Sequence, residues 1–156
     1  MSRYFIIRSL CLGCLGLLGI LAGCATQPAR ERAAAAALEN YIQLLRKQDA
    51  VGLAELFAPD GATSHADQKP IVGRPAIRAM LESFASYRVQ AHDMRVTSIT
   101  VEGKRVTQSG TYHQTVSTPQ GQTIQVQGRF TAEWEEQADG RWLLRRMHTA
   151  PPGNGG

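Results

Sequence analysis

The chain has 156 residues, with 17 basic side chains against 13 acidic ones. Arg3 and Arg8 fall within residues 1–23, where no acid stands, so the remainder carries 15 against 13, a surplus of 2 that gives no footing for a nucleic-acid partner. The cysteines, Cys11, Cys14 and Cys24, all lie in the first 24 positions, which excludes disulfides, thiolate metal sites and cysteine nucleophiles from everything after them.

The N-terminus combines a positive start, through Arg3 and Arg8, with an apolar run from Ser9 to Ala22 rich in Leu, Gly and Ile. That run is shorter than the roughly 20 residues a membrane span needs. It has the form of a secretory signal. Its last residues, Leu21-Ala22-Gly23-Cys24, resemble the lipobox of bacterial lipoproteins. The resemblance implies cleavage before Cys24 and acylation of that cysteine. Acyl chains contribute about 0.8 kcal/mol per buried methylene, so several of them make the membrane a partner through Cys24. Ala25, where inner-membrane retention usually needs Asp, implies the outer membrane, facing the periplasm. The expected divisions are a signal over 1–23, a lipidated tether over 24–32, one domain over 33–150 and a disordered tail over 151–156. A single domain of that size buries roughly two-thirds of its surface without staples.

From Ala33 to about Lys47 the spacing predicts a helix, because Leu38, Tyr41, Ile42 and Leu45 share one face. Asp49 is suited to cap a second helix carrying Leu53, Leu56 and Phe57, which Ala58-Pro59-Asp60-Gly61 ends in a turn. A short extended piece, Ala62 to His65, leads through a polar loop to a third helix starting at Pro75, with Ile77, Met80, Leu81 and Phe84 on one face. After Tyr87 the period becomes two. Strands are predicted from Met94 to Val101, from Val106 to Ser117, from Gln122 to about Glu135 and from Arg141 to Thr149. In the third of these Ile124, Val126, Gly128, Phe130, Ala132 and Trp134 face one way, opposite Gln125, Gln127, Arg129 and Thr131. Helices followed by an antiparallel meander argue α+β, and a sheet of long strands twists into a concave face that receives the helices.

Four stretches carry a resemblance to the nuclear-transport-factor-2-like superfamily, with its polyketide-cyclase-like (SnoaL) and ketosteroid-isomerase-like members. They are Asn40 to Asp49, Leu53 to Gly61, Ile71-Val72-Gly73-Arg74-Pro75-Ala76-Ile77 and Gly140-Arg141-Trp142-Leu143-Leu144. The likeness covers about residues 33–149. It implies a cone: three N-terminal helices in the concave face of a curved, mostly antiparallel four- to six-stranded sheet, with a pocket between them. Fold of this kind hosts enzymes, ligand binders and assembly domains alike.

The resemblance implies a pocket lined by Tyr41, Phe57, His65, Phe84, Tyr112, Phe130, Trp134, Arg146 and His148. Tyr41 matches the oxyanion tyrosine of ketosteroid isomerases, but the position of their aspartate base falls near Ala66, between His65 and Asp67, and Phe130 to Ala132 offers no second acid. The catalytic alternative is therefore a His65, Tyr41 and Asp67 set, working as an isomerase, cyclase or dehydratase. Trp142, Leu144, Arg146 and His148 alternate in phase, which aims the last two at the pocket unless a bulge shifts the strand and leaves Arg145-Arg146 in water. Tyr112 faces inward and His113 outward; His92-Asp93 reads as surface. No metal-ligand spacing, phosphate loop or dinucleotide fingerprint is present, and no cofactor is expected. The leading expectation is a lipid-anchored binder of a small apolar or amphipathic ligand or of a partner protein. A third is a homodimer or envelope-assembly module built on the polar outer sheet face.

Overall fold

The computed structural model describes residues 26–153; the signal expected over 1–23, Cys24 and the last three residues of the expected tail lie outside that range. In order, the chain forms α1 (Gln27–Lys47), α2 (Ala50–Leu56), β1 (Phe57–His65), β2 (Ile71–Val72), α3 (Arg74–Ser83), β3 (Arg88–Glu102), β4 (Arg105–Ser117), β5 (Thr123–Glu136) and β6 (Trp142–Ala150). The three helices pack against one mixed six-stranded sheet with strand order β2-β1-β6-β5-β4-β3. All neighbouring strands are antiparallel except β1 and β6.

Helix α1 begins at Gln27, not at Ala33. Residues expected to be a tether are helical, because Pro28 sits in the first turn, where its missing N–H costs nothing. Arg30 then ties that turn to Glu136 at the end of β5, 3.4 Å away. Ala34, Leu38 and Ile42 form the buried stripe. At the other end Gln48 adopts a left-handed conformation and closes the helix on the carbonyls of Leu44 and Leu45. The Asp49 side chain accepts from the Gly52 amide at 2.8 Å and so caps α2.

The expected turn at Ala58–Gly61 is instead the start of β1. It pairs in parallel with β6 across an irregularity between Phe57 and Ala62, a place where Pro59 and Gly61 are tolerated. Strands β1 and β2 thus precede α3 and supply one edge of the sheet. Strand β3 starts six residues before Met94, and irregularities at Gln90 and Thr97 bend it around the helices.

The core runs through the closed half of the cone. Leu38 and Ile42 of α1 meet Ile77 of α3 and Phe57, Val106, Phe130, Ala132, Trp134, Leu144 and Met147 of the sheet. Within it the Trp134 indole N–H donates to Gln108 Oε1 at 2.9 Å. Both side chains are fully buried, and Gln108 Nε2 has no partner.

Candidate functional site

Toward the β4–β5 turn the sheet and helices diverge, and the concave side opens into a cavity of about 610 Å3. Its apolar wall comes from Leu45 and Leu53, from Met80, Leu81 and Phe84 of α3 and the turn after it, and from Val89, Met94, Val116, Ile124, Val126 and Met147 of the strands. Tyr41, Gln48, Thr63, His92, Tyr112, Gln114 and Thr149 add neutral polar groups. Among the described residues Glu82 is the one charged side chain in the lining; its carboxylate pairs with Arg78 at 2.7 Å on the exposed side of α3.

Each polar side chain is delivered by a simple register. Tyr41 lies one turn after Leu38 on α1. On the sheet Tyr112 stands opposite Met94 on one side and Gly128 on the other, while Gln114 stands opposite His92 and Val126. Burial pushes the Tyr41 hydroxyl up to about 12 and raises that of Tyr112, so both are neutral donors at ordinary pH. The Gly128 site is tight: a Cβ there would run into the Ala150 carbonyl and lie 2.7 Å from the Tyr112 ring.

His92 is the residue that sequence reasoning misplaced. It is 5% exposed, not superficial, and neither ring nitrogen has a hydrogen-bond partner. Its ring stacks on Tyr112 with centroids 6.2 Å apart. Burial first, and then the Arg46 guanidinium, lower its pKa to about 4 against the weaker opposing pull of Asp93, so the imidazole is neutral. Arg46 donates to the His92 carbonyl at 2.8 Å and to Asp93 at 2.6 Å, which holds this stretch of β3 against the end of α1. The signal was available: stepping back by two from inward Met94 reaches His92.

Of the nine side chains expected in the pocket, Tyr41, Phe84 and Tyr112 lie in its wall. Phe84 ends α3 as an edge of the mouth, 54% exposed, with its ring edge-on to Tyr87 at 6.1 Å. Phe57, Phe130 and Trp134 face the same side but lie deeper, sealed in the core. Arg146 and His148 point to the opposite face. One extra residue, Arg145, bulges out of β6 between the Arg146–Glu133 and Leu144–Trp134 pairs, so the inward phase passes from Leu144 to Met147 and Thr149. Arg146 then reaches Glu133, and the His148 ring meets the Ser64 hydroxyl at 2.9 Å. Arg145 forks onto Asp60 through contacts of 2.6 and 3.1 Å. His65 is exposed at the end of β1 and spends its Nδ1 on the Thr149 hydroxyl, 2.9 Å away; exposed Asp67 does not orient it. The structure does not bring the His65, Tyr41 and Asp67 set together. Among the described residues no cluster of three or more His, Cys, Asp or Glu side chains is placed to hold a metal ion.

The profile of the SnoaL-like domain family matches residues 28–148. No curated protein sequence matches the chain. Among solved structures it is similar to a ketosteroid isomerase-like protein from Erwinia carotovora atroseptica, at 14% identity and a TM-score of 0.69 over 76% of this chain and 93% of that one. It is similar also to a protein of unknown function from Mycobacterium tuberculosis, at 25% identity and a TM-score of 0.69, covering 79% and 76% of the two chains. A nuclear-transport-factor-2-like protein with a cystatin-like fold from Novosphingobium aromaticivorans matches at 20% identity and a TM-score of 0.67, covering 81% and 84%. The first and third likenesses are of fold alone.

Proposed function

This chain belongs to the SnoaL-like domain family, and from that premise we propose that its cavity binds a small apolar or amphipathic molecule, on a domain lipid-anchored through Cys24 to the outer membrane and facing the periplasm. The observation that carries the binding reading is the cavity itself. At about 610 Å3, with a mostly apolar wall and a few neutral polar groups, it lies within the roughly 300–1,000 Å3 range of ligand sites. The anchor is supported by the Leu21-Ala22-Gly23-Cys24 sequence at the end of an apolar run.

Binding without turnover is favoured by the make-up of the wall. The carboxylate that reaches it, Glu82, is paired at the rim, and buried His92 is held so far below its ordinary pKa that it is a weak base. A proton-transfer reading would pass through His92 and Tyr41, which share this wall, and not through His65 and Asp67.

The test is organic extraction and mass spectrometry of the chain purified from its host, beside a Val126→Trp variant that fills the cavity. A stoichiometric apolar molecule in the wild type and its loss from a folded variant are the expected result. A wild type that carries nothing and takes up no member of a panel of apolar compounds refutes the binding reading. Mass analysis of the N-terminal peptide of the chain purified from its host tests the anchor separately: an acylated Cys24 at the new N-terminus is expected, and an unmodified cysteine refutes the anchor.

A further inference from the structure

The cavity wall has a charge pattern that limits what can enter. Among the described residues no lysine or arginine lines it. Arg46, which packs against the stretch of β3 that carries the buried histidine, is committed to the His92 carbonyl and to Asp93, and Arg78 is committed to Glu82. Arg145 and Arg146 are held by Asp60 and Glu133 on the other side of the sheet. The lining charge that remains, Glu82, is negative and stands at the mouth. Inside, Tyr41, Tyr112, Gln114 and His92 are neutral groups on strands and a helix whose positions are set by register.

We propose that the cavity selects uncharged ligands, an apolar ring system or chain with a neutral hydroxyl or carbonyl group, and excludes the anionic analogue of the same shape. This rests on the binding reading above. An anion entering the wall would surrender its hydration and find no counter-charge, a transfer far more costly than that of a hydrogen-bonded neutral group. Hydroxyls such as those of Tyr41 and Tyr112 satisfy a neutral polar group and leave a buried anion under-compensated.

The experiment is native mass spectrometry of the full chain, released from detergent micelles in the presence of equimolar N-phenyl-1-naphthylamine and its 8-sulfonate, two molecules that share one aromatic body and differ by a single negative charge. The neutral amine is expected to occupy the protein at least about tenfold more than the sulfonate, since each tenfold corresponds to a modest free-energy difference. Placing a cation in the wall by Gln114→Arg is expected to shift occupancy toward the sulfonate; Val116→Lys, nearer the mouth, serves if that variant does not fold. Equal or greater occupancy by the sulfonate in the wild type overturns the selectivity while leaving the binding reading intact. Failure of both probes, with or without the added cation, overturns the binding reading and the selectivity together.

Discussion

The buried pair at the closed end of the cone allows a quantitative test of what holds the fold. Trp134 and Gln108 are both fully buried and joined by one 2.9 Å hydrogen bond, and the second amide atom of Gln108 is already without a partner. Gln108→Leu strands the indole N–H, which costs about 1–3 kcal/mol, but it also removes the unpartnered Nε2, so the net loss belongs at the lower end of that range. Trp134→Phe strands the whole Gln108 amide and leaves a small void, a loss of about 2–3 kcal/mol. In the double variant no polar atom is left stranded. Its destabilisation is therefore expected to fall about 1–2 kcal/mol below the sum of the singles, well outside the ~0.3–0.5 kcal/mol scatter of independent sites. Urea unfolding followed by far-ultraviolet circular dichroism gives the four free energies. If the singles add to the double within that scatter, the hydrogen bond contributes nothing and the reasoning about the buried amide is wrong.

Acid provides another test. His92 has a folded pKa of about 4 against an ordinary value of 6.5, so between those pH values the unfolded chain takes up a proton that the folded chain refuses. Its contribution is complete above pH 6.5 and is lost as pH falls toward 4, by up to about 3 kcal/mol. His92→Phe is expected to flatten that part of the stability profile relative to wild type; an unchanged slope in urea midpoints at pH 7, 5.5 and 4.5 refutes the assignment. Gly128→Ala forces a methyl group onto the Ala150 carbonyl and the Tyr112 ring, an overpacking of about 1–3 kcal/mol. A lowered urea midpoint is expected, together with weaker uptake of N-phenyl-1-naphthylamine; a midpoint equal to wild type shows that the strands separate there at little cost.

Periodicity carried most of the architecture. Leu38, Ile42 and Ile77 announce their helices by spacing, and the alternation from Ile124 to Trp134 identifies the inward face of β5 along its whole length. Alternation names a face, however, and not a depth. Phe130 and Trp134 share their side with Ile124 and Val126, yet the first two are sealed under α1 and the last two border the opening, because the helices close over one end of the sheet only. The phase of β6 was not legible beyond Leu144, since one bulged residue, Arg145, reverses every side chain after it and leaves no periodic trace. His92 was lost for a related reason. The sequence pattern starts the strand only at Met94, and the irregularity at Gln90 hides the alternation of the residues before His92, so the two-residue step back from Met94 that places the ring inside goes unseen.

Helix α1 runs from the sealed base of the cone to its open end. Its 21 residues rise about 30 Å, from the Arg30–Glu136 pair beside the sealed core to Tyr41, Leu45 and Gln48 at the cavity. Whatever grips the chain ahead of Thr26 therefore holds it by its plugged base, like a cup fixed by the foot. A guest would come and go at the far rim, past Phe84 and Tyr87, without having to slip beneath the point of attachment.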